Sequence, residues 1–544
     1  ILDKGPLDSF TNDNFWTGEG NISGYANAFY EQFLGYGNGN GYGDFYFKTL
    51  SDDQAGMSFA KWTYPDNAPS TSATWKNGWI EVRRANIMLE NVPTVASLDE
   101  ATKNHWLGVA RLMRAWQYYH LVRMYGNLPW IDKALNINDE GEIYGNREDR
   151  DMVMDKVLED LDFAVTNIKD ISSKTTWSRS LANAMKAEVC LYEGTFRKYR
   201  KNEDGQQAPD ATGAARYLTA CKEACLAVMS KGYKLNTSYQ GNYNSTDLSS
   251  NPEMILYKAY KEGLLMHSTI DYTCSSTQIS GMSKNAFESY LFKDGKPMAL
   301  TSLNKSDEAP FQYGHLSLKD ILAVRDKRLA QTIDTVLLYN GRGFTRFNTG
   351  MESTSSTGYG VAKYDNEAIP EGFRSQSGKN YTHAPLFWLS VIYLNYAEAC
   401  AELGNITQDD LDKSINLLKD RAGLPHLNPI VGFSDPANNH GVSDLIWEIR
   451  RERRCELMFD NDNRYWDLIR WHQLDKLDTT KYPDIILGAN VANDMDGCEA
   501  NKVGKYIDGS KDGSRIYDKK HYLYPIPTGQ IALNPQLAPN NPGW

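Results

Sequence analysis

The sequence predicts a mostly α-helical protein with one long irregular insertion, and three observations lead to this fold class. Apolar residues recur three and four positions apart in long segments on both sides of the middle of the chain. Between about residue 236 and residue 383 this pattern largely fails, and Gly, Ser, Asn and Thr take over. The 544 residues are enough for a large core. An insertion this long in a compact protein is more often functional than idle.

The clearest helix runs from His105 to Tyr125. Its residues Val109, Leu112 and Trp116 recur at the helical spacing, and Gly126 supplies a stop. Further apolar residues widen the stripe, so this helix is expected to be buried on most sides. The same periodicity predicts further helices over residues 77–92, 149–168, 181–199, 214–229, 385–403, 411–421 and 443–459.

Most of these segments form antiparallel-compatible pairs joined by short polar links. Small residues such as Ala397, Ala399 and Ala401 suit close helix crossings and resemble degenerate tetratricopeptide units, whose helix pairs stack on a shared core. We therefore predict one domain over residues 1–544. Its parts are a helical scaffold over 76–231 and 384–471, an irregular insertion over 236–383, and a loop-rich C-terminal segment over 472–544 that packs on the scaffold.

Composition narrows the class of ligand. The formal net charge is −11, which disfavours nucleic acid as a partner. Aromatic residues make up 12% of the chain and are accompanied by many Asn, Gly and Ser, a mixture that suits flat, uncharged, hydroxyl-rich ligands. No apolar run reaches the roughly 18 residues that a membrane helix needs. The seven cysteines form no CxxC pair and are interpreted as core residues rather than a disulfide framework.

A charged stretch, RRERRCELMFDNDNRYWDLIRW over residues 450–471, has two interpretations. Glu452 and Glu456 lie four apart on one helix face, which is compatible with an acid and base pair in catalysis. The alternative is a buried ion network in which Arg453, Arg464 or Arg470 meets these carboxylates. Surrounding arginines would depress the pKa of both carboxyl groups, whereas catalysis needs at least one raised pKa. The network is therefore the favoured interpretation.

Other chemical motifs are absent or incomplete. The sequence contains no GxSxG elbow, Walker A loop or HExxH helix, and the cluster GYGNGNGYG from Gly35 does not satisfy GxGxxG. DGSKDG from Asp508 begins like a calcium loop, but Lys519 stands at the twelfth position, where glutamate is required. We expect no cofactor, and the motifs predict no metal site.

Several segments, in order along nearly the whole chain, carry a family resemblance. ERRCELMFDNDNRYWDLIRW resembles the C-terminal hallmark of the SusD/RagB family, with Asp460 where glutamate is usual. ARLMRAWQYYHLVRMYGNLPW, LNYAEAC and NLLKDRAGLP resemble other segments of this family, as does the closing YLYPIPTGQIALNPQLAPNNPGW, in which Trp544 replaces a common terminal Tyr.

The resemblance implies a SusD-like fold and a surface-exposed outer-membrane lipoprotein of Bacteroidetes-type bacteria that captures oligosaccharides. In this family the protein caps a SusC-like TonB-dependent transporter. A lipid anchor upstream of Ile1 would provide the membrane contact, and a signal peptide would have been removed from the same region. The family takes its ligand contacts from variable loops, so no ligand residue transfers by motif.

Sugars expose C–H faces that pack on aromatic rings and hydroxyl groups that need paired donors and acceptors, so aromatic residues beside polar ones predict the site. Two loop regions have this texture, the first around GYGNGNGYGDFYF and FAKWTYPDN and the second in the insertion. The candidate ligand-binding residues are Tyr42, Asp44, Trp62, Tyr64, Tyr272, Cys274, Tyr313, Arg342, Arg346 and Tyr359, and His315 lies near them in the sequence.

The sequence leaves three functions open. The favoured one is a non-catalytic binder of a neutral glycan such as a fructan, an α-glucan or a hemicellulose fragment. A helical glycoside hydrolase with a carboxylate pair in the aromatic cleft is the second. The third is a protein-capture module on a tetratricopeptide scaffold, which would bind a peptide and no sugar.

Overall fold

The computed structural model describes residues 12–47, 50–56, 64–274, 281–303, 318–339, 344–345, 352–492, 495–510 and 513–544. Most of the regular structure is helical, as predicted. The helices are α1 (Asn12–Phe15), α2 (Glu19–Asn27), α3 (Ala73–Asn91), α4 (Glu100–Tyr125), α5 (Glu140–Ile143), α6 (Arg150–Asn167), α7 (Arg179–Tyr199), α8 (Ala211–Met229), α9 (Gly241–Asn244), α10 (Thr269–Cys274), α11 (Lys284–Ser289), α12 (Lys319–Ala323), α13 (Lys327–Ala330), α14 (Glu371–Arg374), α15 (Leu389–Glu402), α16 (Gln408–Asp412), α17 (Ile415–Ala422), α18 (Asp444–Glu456), α19 (Asn463–Arg470) and α20 (Thr528–Leu533).

The strands are short and pair as small antiparallel sheets. They are β1 (Gln54–Ala55), β2 (Met254–Lys258), β3 (Gly281–Met282), β4 (Phe344–Thr345), β5 (Glu352–Ser353), β6 (Ala384–Trp388), β7 (Leu487–Asn490), β8 (Lys502–Val503) and β9 (Tyr506–Asp508). β1 pairs with β3, β2 with β6, β4 with β5, and β9 lies between β7 and β8. Short 3₁₀ segments include Ala28–Gln32, Val92–Thr94, Asn202–Asp204, Leu474–Leu477, Pro483–Ile485, Lys519–Tyr522 and Pro535–Leu537.

The long helices pack mainly on their neighbours in the sequence, as helix pairs do. α3 packs on α4, α4 on α6, α6 on α7 and α7 on α8, and α15 then packs on α8 and α18. Glycines allow close approach at the crossings: a Cβ atom on Gly108 would lie 2.9 Å from Ile168, and one on Gly194 would lie 2.7 Å from Leu218. The expected small residues at the crossings are therefore present, and several of them are glycines.

Capping explains why the helices begin and end where they do. The side chain of Asp99 accepts from the Thr102 backbone N–H at 2.7 Å, so α4 begins five residues before the predicted start. Gly126 follows α4 with a φ of 72°, which ends the helix as predicted. The periodic segment 385–403 differs from the prediction, because its first residues form β6 and only the rest is helical. Short apolar runs fit either structure, and Pro385 disfavours the interior of a helix.

The insertion contains only short elements where it is described, among them α9 to α14 and β2 to β5. The chain near its C-terminus contacts the end of α4: the Tyr524 backbone N–H donates to the Met124 carbonyl at 2.7 Å, and Asn541 Nδ2 donates to the Tyr125 carbonyl at 2.9 Å. All seven cysteines are buried and none forms a disulfide, as expected for core residues. No helix among the described residues has the length and hydropathy needed to cross a membrane.

The charged stretch forms a buried ion network, but the partners differ from those expected. Arg328, on α13 of the insertion, forms an ion pair with Glu452 at 2.6 Å and donates a hydrogen bond to Glu456 at 2.8 Å. Arg421 also contacts Glu456. Burial alone would raise the pKa of the Glu456 carboxyl, yet Arg421 and Arg328 outweigh burial and hold this pKa below its ordinary value. Glu456 therefore has the depressed pKa of a structural carboxylate.

The three arginines expected to meet these glutamates pair elsewhere. Arg453 donates to Asp467 at 2.8 Å, Arg464 to Asp52 at 2.7 Å, and Arg470 to Glu398 at 2.6 Å. Asp460 is buried against the Lys363 ammonium at 2.8 Å, so a second charged pair joins the insertion to the turn after α18. The network thus connects segments that are far apart in the sequence.

Candidate functional site

Three aromatic rings, the exposed Tyr42 and the partly buried Phe47 and Tyr272, form a surface cluster that is here called the aromatic platform. The Tyr42 side chain is 59% exposed and stacks on Phe47, with ring centroids 4.6 Å apart and an interplanar angle of 18°. Tyr272 meets Tyr42 edge to face at 5.5 Å. Two of the predicted residues, Tyr42 and Tyr272, therefore lie together although 230 positions separate them in the sequence.

The glycine-rich loop from Gly35 to Gly43 holds Tyr42 in place. Asp44 N–H donates to the Gly35 carbonyl at 2.8 Å and closes the loop. A Cβ atom on Gly37 would overlap the Gly41 carbonyl, and one on Gly43 would overlap the Gly35 carbonyl, so both positions require glycine. The glycine cluster therefore has a structural role, which is to fold a tight loop beneath an exposed ring.

Hydrogen bonds fix this loop to the insertion. Gly39 N–H donates to the Met266 carbonyl at 2.8 Å, and Ser268 Oγ donates to the Gly39 carbonyl at 2.8 Å. The Tyr272 hydroxyl donates to the Asn40 carbonyl at 3.2 Å. These contacts leave the outer ring face of Tyr42 exposed while its backbone is held on both sides. Such a ring loses little conformational freedom when a ligand covers it.

Uncharged polar residues border the platform. Asn40 is exposed, and its Oδ1 lies close to Gly378 on the segment that follows α14. On the same segment Ser377 is exposed, and its Oγ donates to Asp271 at 2.7 Å. Amide and hydroxyl groups beside an exposed ring provide both donors and acceptors, which is what a hydroxyl-rich ligand needs.

Asp44 lines a different space, a cavity of about 230 Å³ between the loop and helices α4, α7, α15 and α19. Its wall includes Trp116 and Trp466, and the Arg123 guanidinium lies 4.1 Å from the Trp466 ring. Burial raises the pKa of the Glu188 carboxyl in this wall, and Arg123 only partly offsets the effect. The cavity combines aromatic and charged walls, so it is a second candidate binding space.

Three predicted residues lie in the core instead of at a ligand surface, which corrects the expectation for them. Tyr64 is 8% exposed and stacks on Tyr524 at 4.3 Å. Cys274 is fully buried, and its Sγ donates to the Val361 carbonyl. Tyr359 is 2% exposed and stacks on Phe287 at 4.2 Å. In each case a partner distant in the sequence covers the side chain.

The remaining candidates lie outside the described residues. These are Trp62, Tyr313, His315, Arg342 and Arg346. Phe47, which supports the Tyr42 ring, and Asn40 were not among the predicted site residues. Both belong to the motif GYGNGNGYGDFYF, so the aromatic run that follows the glycines was the signal that could have indicated Phe47. Among the described residues, no group of three or more His, Cys, Asp and Glu is arranged to hold a metal ion.

Comparison with known proteins identifies the family. The model described as the SusD family matches residues 227–544. A second model, described as starch-binding associating with outer membrane, matches residues 14–191. SusD-like protein P2 of Formosa agariphila is 23% identical to this chain over 495 residues, which cover 89% of this chain and 82% of that protein.

Solved structures share the fold. A SusD-like carbohydrate binding protein from Bacteroides fragilis has a TM-score of 0.71 at 20% identity, covering 96% of this chain and 100% of that chain. A laminarin binding SusD-like protein has a TM-score of 0.58 at 20% identity, covering 97% and 100%. A family model that spans more than half of the residues agrees with these structures and with the helix-pair architecture, and the chain therefore belongs to the SusD family.

Proposed function

We propose that this protein is a non-catalytic glycan-binding protein of the outer-membrane surface, and that the aromatic platform holds a neutral oligosaccharide. The observation that carries the proposal is the Tyr42 ring, 59% exposed and stacked on Phe47 at 4.6 Å. A large exposed ring on a hydrogen-bonded loop offers an apolar face to the C–H side of a sugar ring. A large aromatic ring that stays in contact with water does not stabilise the fold, so its exposure indicates a binding surface.

The surroundings of the platform favour a neutral sugar over an acidic one. The described polar neighbours at its rim, Asn40 and Ser377, are uncharged, and the chain as a whole carries a formal charge of −11. A uronate or sulfate group would be repelled at long range by this net negative charge. The laminarin binding neighbour supports the same class of ligand.

Affinity at this site is expected to be modest. One stacked ring contributes about 0.5–1.5 kcal/mol beyond the area that it buries, and a flexible oligosaccharide loses torsional freedom on binding. Affinity then depends on contacts to several sugar units. The bordering amide and hydroxyl groups select the ligand through their hydrogen bonds, while the ring supplies contact area.

Two parts of the proposal rest on family membership. Delivery to a SusC-like TonB-dependent transporter would give captured glycan a route into the cell, and a lipid anchor upstream of Ile1 would hold the protein at the membrane. The family description "associating with outer membrane" supports this location. A stable complex with a transporter requires a large interface, typically above 1,000 Å² in total.

Isothermal titration against neutral and acidic soluble glycans, laminarin among them, tests the binding role. Thin-layer chromatography of each mixture then tests for turnover. We expect heat with a neutral glycan and no new products. Tyr42→Ala should weaken binding about 3- to 10-fold, because it removes the stacking ring. Tyr144→Ala is the matched control, since Tyr144 is 47% exposed on a different surface.

Each contrary result has a defined meaning. New product bands would show that the protein hydrolyses the glycan and would favour the hydrolase over the non-catalytic binder. Unchanged affinity in Tyr42→Ala would place the glycan away from the platform. A peptide ligand with no heat from any glycan in the panel would favour protein capture.

A further inference from the structure

A small cavity beside α18 is lined by cationic side chains. It measures about 40 Å³ and lies between α18, α19, the end of α11 and the 3₁₀ turn Leu474–Leu477. Among the described residues its wall contains no carboxylate. The lining residues are Ser289, Trp447, Arg450, Arg451, Arg454, Arg464, Trp471, Gln473 and Lys476. Five cations around one cavity would repel each other strongly if nothing compensated their charge.

Three of the five cations are compensated by carboxylates outside the cavity. Arg451 pairs with Glu448 at 2.9 Å. Arg454 pairs with Asp53 at 2.8 Å, and Arg464 pairs with Asp52 at 2.7 Å. These bonds orient the guanidinium groups and fix the wall. Arg450 reaches a carboxylate only at a longer 3.3 Å, on Glu402, and Lys476 forms no ion pair among the described residues, so these two are the least compensated cations of the cluster.

Lys476 is the least compensated cation. The residue is 9% exposed, and its ammonium lies 4.5 Å from the centre of the Trp447 ring. Its Nζ makes no hydrogen bond and no ion pair within 4 Å to any residue that the structure describes. The pKa of Lys476 is lowered to about 7, mainly by burial. Arg464 also lowers this pKa, by more than Asp52 raises it. The surroundings therefore disfavour the charged form of Lys476 unless an anion lies close to it.

Arg450, which lines the same cavity, has unsatisfied donors. The residue is 4% exposed, and within the described part of the chain its Nε and Nη1 have no hydrogen-bond partner. Its Nη2 reaches Glu402 at a long 3.3 Å, and its guanidinium lies 4.4 Å from the Trp471 ring. Buried donors without partners cost about 1–3 kcal/mol each, so a native protein normally pairs them.

We propose that this cavity is an anion site, in which Lys476 and Arg450 bind a compact oxyanion such as a sulfate, a phosphate or a carboxylate group. The guanidinium fork and the ammonium supply several N–H donors, and oxyanions supply the matching acceptors. The cavity has roughly three times the volume of about 10–15 Å³ that one water molecule needs, which suits a group of a few heavy atoms. The anion would complete the charge balance of the wall.

A neighbouring cavity gives this site room for a larger molecule. It measures about 440 Å³, shares Ser289, Trp447, Arg451, Arg454, Arg464 and Lys476 with the small one, and has four acidic residues, Asp52, Glu288, Asp435 and Asp484, in the rest of its wall. An anionic group at the inner end of a sugar or another metabolite would therefore leave space for the rest of that molecule. None of the lining residues belongs to the aromatic platform, so this site is independent of the proposed glycan site.

Thermal unfolding of the full chain tests the proposal. Wild type, Lys476→Met and the control Lys156→Met are melted in sodium sulfate, phosphate, acetate and glucuronate, with sodium chloride at matched ionic strength as reference. Lys156 is a suitable control because it lies on α6 and is 44% exposed. Sulfate stabilises proteins without binding to them, so the measured quantity is the difference between wild type and variant in each salt.

We expect at least one oxyanion to raise the Tm of wild type and of Lys156→Met along a saturating curve that Lys476→Met lacks. Calorimetric titration should show the affinity for that anion falling about 10-fold or more in Lys476→Met. Without the anion, Lys476→Met should be at least as stable as wild type, because it loses an uncompensated charge. Lys476→Gln offers a second variant if the methionine variant does not fold.

The pattern across anions identifies the source. A larger response to sulfate or phosphate indicates a free inorganic ion, and a larger response to glucuronate than to acetate indicates the anionic group of a sugar. Equal responses of wild type and Lys476→Met to all four anions would overturn the proposal. Tyr42→Ala should retain the anion response, so failure of the glycan site and failure of this site are distinguishable.

Discussion

Replacement of Arg328 by methionine removes a cation that three carboxylates share. The Arg328 side chain is 1% exposed and forms ion pairs with Glu452 at 2.6 Å, with Glu456 at 2.8 Å and with Asp326 at 2.7 Å. Methionine is long and unbranched, so it fills much of the same space and limits the cavity that the substitution creates. The main effect of the change is therefore electrostatic.

The expected loss follows from what remains around each carboxylate. Arg421 still contacts Glu456, and Lys419 lies 3.6 Å from Glu452, so both glutamates keep a cation. Among the described residues, Asp326 forms no other ion pair, so its charge stays buried without compensation. Removal of one partner from a buried pair costs about 3–5 kcal/mol, and we expect a loss of about 4 kcal/mol in the free energy of unfolding.

Urea unfolding at neutral pH, followed by far-ultraviolet circular dichroism, measures this loss. Arg216→Met is the matched control, because Arg216 is 51% exposed and pairs with Asp155 at the surface, where an ion pair contributes at most about 1 kcal/mol. Adding Asp326→Asn to Arg328→Met should recover part of the stability, because it removes the carboxylate that the substitution leaves without a cation. A loss below about 1 kcal/mol, or one equal to that of Arg216→Met, would refute the buried-network reasoning.

Three further outcomes are expected. Burial lowers the pKa of His267 from 6.5 to about 3, so its contribution to stability is fully present above pH 6.5 and is lost as pH falls towards 3. The stability disadvantage of His267→Gln relative to wild type should therefore shrink by roughly 2 kcal/mol between pH 6.5 and pH 5, as measured by urea unfolding. Gly43→Ala forces a Cβ atom against the Gly35 carbonyl, so it should cost about 1–3 kcal/mol of stability and lower both Tm and glycan affinity. Gly141→Ala should change neither, because the space around Gly141 is open. Phe47→Ala removes the ring beneath Tyr42 and should weaken glycan binding about 3-fold or more in calorimetric titration while far-ultraviolet circular dichroism stays unchanged; full affinity would show that Tyr42 needs no support.

The helical part of the fold could be predicted because its signals are local. The apolar spacing through Val109, Leu112 and Trp116 predicted most of α4, and Gly126 fixed its end. The segment after Pro385 was assigned to a helix although it begins as a strand, because β6 depends on pairing with β2 more than 120 residues earlier. Such a partner leaves no trace in the periodicity of one segment.

The ion network shows the same limit from another direction. The burial of Glu452 and Glu456 followed from their place on the apolar face of α18, so the network was predicted correctly. The arginines nearest in the sequence were expected as partners, yet Arg328 and Arg421 pair with these carboxylates. Helix geometry indicates which side chains point inward, but only the packing of the insertion determines what meets them.

Some of the predicted aromatic residues lie at the surface and others are buried, and this difference also depends on contacts between distant segments. Tyr42 and Tyr272 lie on the surface, whereas Tyr64 and Tyr359 are covered by rings from Tyr524 and Phe287. An aromatic residue in an irregular segment has the same local signature in both cases. Its exposure depends on contacts with distant segments, which one sequence does not reveal.

The charged contacts at Arg328 and Lys363 have a consequence for how specificity changes in such proteins. Both residues root the insertion in α18 and in the turn that follows it, while Tyr42 stands at a loop tip held by backbone hydrogen bonds. Because a few buried charged contacts fix the base of the insertion, the exposed ends of the surface loops can change widely in sequence without loss of the fold. If the exposed loop ends are exchanged between two such proteins, ligand preference should therefore be transferred with them while the helical scaffold stays unchanged, as happens when loops are grafted onto an antibody.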